Sequence, residues 1–430
     1  MVHWLSGIWA LGGVAWLFGV AWLVGVGVTV GRATTGFARL PRLGDGARAG
    51  RRPAAPGAFP SVSVIVAARN EADSLAPALG SLLASDYPRL EVVAVDDRST
   101  DGTGAILESL AQRDPRLRVL RLTELPPGWL GKNRALQRGA EMAGGDWLLF
   151  TDADVRFAPA AIRSAVGFAE RRGIDHLTAL PAMVAAGPAL RLFMVWMLFV
   201  YTVWQRPWQA GRADRRESAG FGAFNLVRRQ AYWEVGGHAA LPLALADDVV
   251  LGAVLKAAGY RQMLAVAAHD RRGGRPLLEL QWYPSVRAAV RGFEKNAFAM
   301  FGFRLGTVAA CAVLGLACAF LSPVAVVLAP AWRRLPWLAA YVLTAWCVGY
   351  AGRAVMGRFS YAYALLFPLA QVVLIWTVVR SAAIALRQGG VRWRETFYPL
   401  DALRRANRAL RLSLDSEPPR QIEDLVAPRH

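Results

Sequence analysis

The stretch Leu148-Leu149-Phe150-Thr151-Asp152-Ala153-Asp154-Val155 decides how the rest of the chain is read. Its apolar half has the composition of a buried strand, and that strand runs straight into two carboxylates. Side chains two apart on an extended backbone point the same way, so Asp152 and Asp154 can reach one point. Paired aspartates at a strand end suit a hard divalent cation, Mg2+ or Mn2+, which keeps open positions for phosphate oxygens. An Asp-x-Asp pair alone is equally a solvated loop, so its surroundings have to decide.

Upstream, an apolar β-branched run at 62–67 and further strands at 90–95 and 117–122 alternate with helical patterns at 73–84, 101–112 and 131–143. A fourth strand, 147–151, carries the two aspartates. Such alternation predicts a parallel sheet with both faces covered, and ligands at the carboxyl ends of its strands. Polar residues gather there: Ala68-Arg69-Asn70-Glu71 after the first strand, Asp96-Asp97-Arg98-Ser99 after the second. Acidic strand ends can accept the N–H and O–H groups of a base and ribose. The competing reading of either cluster is a helix cap, and Asp101 before Gly102-Thr103 is expected to be one. No Gly-x-Gly-x-x-Gly follows the first strand, which argues against a dinucleotide loop.

Composition narrows the partners. The chain has 430 residues, 55% of them hydrophobic, and a net charge of +19. A basic, apolar protein points to a membrane with anionic lipid or to phosphate-bearing ligands. No nucleic-acid partner is expected, since no recognition signature for one is present. Cys311, Cys318 and Cys347 lie in apolar stretches, so they read as buried residues rather than a disulfide or zinc framework. Only three lysines, Lys132, Lys256 and Lys295, stand among 50 Lys and Arg residues, and asparagine is as scarce. In an arginine-biased chain the surviving Lys and Asn are expected where Arg would not serve. Gly131-Lys132-Asn133 and Glu294-Lys295-Asn296 stand out on that ground.

Taken in order, three motifs resemble family 2 glycosyltransferases of the GT-A fold: Val64-Ile65-Val66-Ala67-Ala68-Arg69-Asn70-Glu71, Val95-Asp96-Asp97-Arg98-Ser99-Thr100-Asp101-Gly102-Thr103 and Thr151-Asp152-Ala153-Asp154. The likeness runs over residues 61–296. Gly128-Trp129-Leu130-Gly131-Lys132-Asn133 resembles the membrane-anchored bacterial members that act on lipids, including those associated with hopanoid and carotenoid glycosylation. The resemblance implies an α/β fold: a GT-A, Rossmann-like nucleotide-diphospho-sugar transferase domain with transmembrane helices at both ends. It implies an inverting transfer from a nucleotide-diphosphate sugar, taken as UDP-linked. Ala68, Arg69, Asn70, Glu71, Asp96 and Asp97 would then face the nucleoside, Asp152 and Asp154 the metal diphosphate, and Lys132 the nucleotide. A lysine at a Gly-flanked helix start is independently well placed for phosphate.

Further along, Gly220-Phe221-Gly222-Ala223-Phe224-Asn225 resembles the small-residue segment that lines the acceptor pocket in this family, which puts Gly222, Ala223 and Phe224 there. Asp247-Asp248 takes the place of the family's Glu-Asp motif. An acceptor hydroxyl must lose its proton as it attacks, and Asp248 is the expected base, with Asp247 beside it. The bland alternative is an acidic N-terminus on the following helix. Arg287, Arg291 and Lys295 recur every four residues and share a helix face that could hold the leaving diphosphate. The Gln-x-x-Arg-Trp motif of many membrane synthases of the family is absent, which disfavours a processive polysaccharide synthase.

The expected organisation has a transmembrane anchor over 1–31, where residues 4–31 carry no charge, then a basic linker over 32–60. The glycosyltransferase domain follows over 61–303, with an interfacial helix at 188–208. A transmembrane region over 304–386 has three segments near 305–331, 336–352 and 361–386. A basic tail over 387–430 ends in disorder. Arginines follow the anchor and none precedes it, which predicts a multi-pass protein of the cell membrane with its catalytic domain in the cytoplasm. Three full spans would leave the tail outside, so the parity stays open. The expected activity is sugar transfer to a lipid or lipid-linked hydroxyl. Polyprenyl-phosphate transfer, polysaccharide synthesis and an inactive membrane adaptor are the alternatives.

Overall fold

The computed structural model describes residues 2–44, 59–267 and 275–415. Most of the expected linker and the expected disordered end lie outside these described residues. The chain divides into two compact units. One gathers Met1–Arg39, Ala185–Arg206 and Tyr283–Ala383; the other gathers Leu40–Val184, Pro207–Trp282 and Ile384–His430.

The second unit is a mixed α/β domain. Its strands are β1 (Val62–Ala68), β2 (Leu90–Asp97), β3 (Leu117–Leu122), β4 (Trp147–Asp152), β5 (Val155–Phe157), β6 (His176–Leu180), β7 (Ala182–Met183), β8 (Asn225–Arg228), β9 (Gln262–Val266), β10 (Leu278–Leu280), β11 (Gly390–Trp393) and β12 (Thr396–Pro399). Seven form the main sheet in the order β3-β2-β1-β4-β8-β6-β9. Successive side chains feed opposite faces. Val62, Val64 and Val66 join one core with Leu75, Leu79 and Leu149. Ile65 joins the other with Leu136, Ala140 and Phe150. Covering both faces explains why these strands read as unbroken apolar runs, and each fully buried Val, Leu or Ile stabilises by about 1.5–3 kcal/mol.

The expected parallel sheet is corrected at one strand. β8 runs antiparallel to both β4 and β6. The chain arrives at the carboxyl edge of β4, where the Asp152 N–H donates to the Gly222 carbonyl at 3.1 Å, and β8 has to run back from there. That reversal brings the 220–224 segment beside the aspartates. β5, β10 and β7 form a small second sheet, and β11 and β12 a hairpin. The hairpin and the helix Leu400–Asp415 occupy much of the segment expected to be a tail.

The first unit is helical. Among the described residues, five helices are long and apolar enough to cross a membrane: Trp16–Ala38, Pro188–Gln205, Leu305–Leu328, Leu335–Met356 and Phe367–Gln388. The first is the end of a helix, Val2–Ala38, that continues into the expected linker. Within this unit Trp196 stacks on Phe367 at 4.8 Å between centroids and donates its indole N–H to Gln371 at 2.6 Å. Pro188–Gln205 was expected at the membrane interface, and by composition it could span. Its flanks are β7 and β8, both strands of the α/β unit.

Candidate active site

The carboxyl ends of β1, β2 and β4 and the first turns of two helices converge around Lys132. This lysine is the second residue of the helix Gly131–Met142. Its ammonium lies 2.9 Å from Asp152 Oδ1 and 3.2 Å from Asp247 Oδ1. Burial alone would depress the Lys132 pKa, but Asp152, Asp247 and Asp248 outweigh it and hold the pKa well above the usual lysine value. One cation thus gathers carboxylates from a strand end and from the start of the helix Asp247–Ala257. Asn133, the neighbour of Lys132, fixes this arrangement. Its buried amide donates to the carbonyls of Leu241 at 2.8 Å and Ala244 at 3.0 Å, tying the lysine helix to the segment that leads into Asp247.

The acidic side chains are tuned apart. Burial, then Asp152 and Glu71, push Asp154 up to about 7. Burial, then Asp247, push Asp248 up to about 6, against the pull of Lys132. His238 lies 3.9 Å from Asp247, but burial holds its pKa down to about 4, so near neutrality it is an uncharged neighbour. Asp152 and Asp154 offer the hard oxygen donors that Mg2+ or Mn2+ takes alongside substrate phosphates, so this pair fits such an ion. Among the described residues no group of three or more His, Cys, Asp or Glu side chains could hold a metal alone.

The strand ends of β1 and β2 are stitched to each other. Asn70, at a left-handed φ of 52°, accepts the Thr100 N–H at 2.8 Å. Thr103 Oγ1 accepts the Glu71 N–H at 2.8 Å. Asp101 sits two residues before the helix Thr103–Arg113, with Gly102 at the N-cap position; its carboxylate still accepts the Thr103 N–H at 2.9 Å, so it satisfies a first-turn donor from outside the cap position expected for it. Asp97 is gripped by Arg98 at 2.8 Å, and Arg69 approaches to 3.7 Å. Asp96, 1% exposed, spends one oxygen on the Ser99 N–H, while its Oδ2 has no hydrogen-bond partner and lies 3.8 Å from Arg121. Ala68 is buried in the core, so only its backbone can face a ligand.

Gly222 borders the aspartates so closely that a Cβ there would lie 2.8 Å from Asp152 Oδ2. Ala223 and Phe224, expected beside it, are buried at 4% and 1% exposure, and their side chains pack in the core. Here the peptide, not the Ala223 or Phe224 side chain, lies at the border with the aspartates. Arg287, Arg291 and Lys295 share the helix Val286–Met300 of the helical unit, as their spacing predicts.

Residues 63–236 match the profile described as Glycosyl transferase family 2. A beta-monoglucosyldiacylglycerol synthase of Nostoc sp. is 30% identical over 42% of this chain and 38% of its own length. A 4,4'-diaponeurosporenoate glycosyltransferase of Staphylococcus haemolyticus is 29% identical over 50% of this chain and 55% of its own. The chain spans less than two thirds of either relative. A Pyrobaculum calidifontis mannosyltransferase structure in complex with GDP-Man and Mn2+ aligns at 21% identity over 85% of this chain and 98% of that one. Its TM-score is 0.43.

Proposed function

Because this chain carries a glycosyl transferase family 2 domain in a GT-A-like mixed sheet, we propose that it is an inverting, membrane-associated glycosyltransferase. It moves one sugar from a nucleotide-diphosphate donor, UDP-linked, to the hydroxyl of a lipid or lipid-linked acceptor at the cytoplasmic face. The observation that carries this reading is the cluster around Lys132, which joins the strand-end aspartate Asp152 to the helix-start pair Asp247-Asp248. The relatives named for a glycolipid and for a carotenoid-derived acceptor favour a lipid. So does an apolar cavity of about 710 Å³ within the helical unit, bordered by Trp22, Trp196, Phe199, Leu314 and Ile375.

The residues divide the work. Asp248, with its pKa near 6, is ionised at neutral pH and accepts the acceptor's hydroxyl proton as that oxygen attacks the anomeric carbon. The bond from the anomeric carbon to the diphosphate oxygen breaks on the opposite face, and its electron pair leaves with the nucleoside diphosphate. Lys132 moves from Asp152 to the diphosphate and offsets the charge that develops there. Asp97, Asn70 and Glu71 orient the nucleoside. A divalent ion held by Asp152 and Asp154 supplies Lewis-acid neutralisation of the diphosphate when bound.

The test is donor turnover by the full chain in detergent with a panel of nucleotide sugars, Mg2+ or Mn2+, and total membrane lipid. Lipid- and metal-dependent release of a nucleoside diphosphate is expected. Asp152→Asn should abolish it, and Asp248→Asn should lower kcat by about 10²–10⁴-fold. An unchanged rate for Asp248→Asn would point instead to an acceptor that is already an anion, such as a lipid phosphate. No binding of any nucleotide by folded protein would end the enzyme reading.

A further inference from the structure

The hairpin β11–β12 lies far from the proposed donor residues in sequence, yet the fold places it directly on them. Its two-residue tip is Arg394-Glu395. The Arg394 guanidinium donates to the Arg69 backbone carbonyl and, at 2.6 Å, to Glu71 Oε1. Glu395 returns the pairing, accepting from Arg69 at 2.7 Å. The two residues that Arg394 grips flank Asn70, which holds a left-handed backbone at the end of β1. A left-handed non-glycine residue costs free energy and persists where its neighbours overdetermine it. Arg394 is one such neighbour, since it fixes the peptide on one side of Asn70 and the carboxylate on the other.

Two more observations show that the hairpin is built for this place. Tyr398 of β12 is 7% exposed, and its hydroxyl lies near enough to the Gly131 N–H, at the start of the Lys132 helix, to be influenced by it. The hairpin therefore borders both the strand-end turn and the helix start. Arg394 itself adopts a φ of 54°, at the first tip position of a two-residue hairpin, where glycine adopts such a backbone at little cost. The chain carries a strained arginine where the turn alone would favour glycine.

We propose that the hairpin Gly390–Pro399 is a clamp on the nucleoside end of the donor site, and that Arg394 is its positioning residue. It holds the Arg69-Asn70-Glu71 turn in the conformation that receives the base and ribose. The clamp rests on the donor-site assignment proposed above and extends it to a segment outside the matched domain. Its effect falls on donor affinity, because a turn already ordered does not have to be ordered on binding.

Arg394→Gly separates this role from folding, since glycine relieves the left-handed tip while it removes the side chain that carries the guanidinium. The full-length variant should melt at or above the wild-type temperature. Its donor KM, and the Kd for UDP by titration calorimetry with Mg2+ present, should rise about tenfold or more, the loss expected when charge-assisted hydrogen bonds are removed. Its kcat at saturating donor should stay within about twofold, and Arg394→Lys should recover part of the affinity. Unchanged UDP affinity in Arg394→Gly would reduce the hairpin to packing and overturn the clamp. Tighter affinity would also overturn it, by making the hairpin a plug. Failure of the wild type to bind any nucleoside diphosphate in the same titration would instead remove the donor site itself.

Discussion

Burial shifts the pKa values of Asp248 and His238, members of one cluster, in opposite directions, raising the carboxyl and lowering the imidazole. The raised pKa of Asp248 sets the acid limb of the reaction. Below about 6 the carboxylate is protonated and cannot take the acceptor's proton, so kcat/KM should fall about tenfold per pH unit there. A pH–rate profile with saturating metal checks this, and a flat profile down to pH 5 would remove Asp248 as base. His176 and His238 act on stability instead. Burial lowers both from 6.5 to about 4, so the unfolded chain binds more protons between those values. Their contribution is complete above pH 6.5 and is lost as pH falls towards 4, by about 3 kcal/mol for each histidine. Thermal melts from pH 7 to pH 4.5 should show the decline, reduced in His176→Gln. At this scale the sequence was most legible at the strand-end acids, because chemistry at a sheet edge needs few residue types. Asn133 was legible only through the scarcity of asparagine, and its three carbonyl partners come from residues 241–244, which no local pattern announces.

The elements divide by how they bury their side chains. β1, β2 and β4 are largely apolar and buried, β3 is an edge strand that exposes Arg118 and Arg121, and the expected limits of all four match the observed ones to within two residues. β6, β8 and β9 went unread because a buried polar network interrupts their hydrophobic pattern. His176 meets Asn225 at 2.6 Å and Gln262 at 2.5 Å, and Gln262 also reaches the Ala219 N–H and the Gly252 carbonyl. The network is satisfied inside the protein, so it costs little there, while in the sequence it looks like loop. It also sets how closely the 219–222 segment packs on the Asp247–Ala257 helix. A Cβ at Gly220 would meet the Asp248 carbonyl at 1.9 Å, and one at Gly252 the Ala219 carbonyl at 2.2 Å. Gly220→Ala must therefore push the helix start away. Shifting a base by an ångström can cost about 100-fold, so kcat should fall well beyond any change in melting temperature. UDP affinity should stay within about threefold, since the strand ends are untouched. An unchanged kcat in Gly220→Ala would mean that Asp248 need not sit where the peptide puts it.

For the whole molecule, chain connectivity settles a question that hydropathy leaves open. β10 ends at Leu280 and the hairpin begins at Gly390, and both belong to the α/β unit. Between them lie three helices long and apolar enough to span, Leu305–Leu328, Leu335–Met356 and Phe367–Gln388. Three complete crossings would put β10 and the hairpin on opposite sides of a bilayer. Arg394 could not then reach Glu71. If these helices cross a bilayer, the number of complete crossings between β10 and the hairpin has to be even, which leaves at least one of the three without a complete crossing. The arginines permit this, since Arg333 and Arg334 follow the first helix and Arg353 and Arg358 border the next connection, so no connection is marked as outside by charge alone. Cysteine scanning with a membrane-impermeant thiol reagent decides the matter, with the native cysteines replaced by serine or alanine. Gln112→Cys and Leu412→Cys sit on exposed positions of the α/β unit, one early and one after the last helix. Both should be protected in intact cells and labelled together once the membrane is permeabilised. Labelling of Leu412→Cys alone in intact cells would require an odd number of crossings. It would also separate the hairpin from the strand ends, and with them the clamp on the donor site.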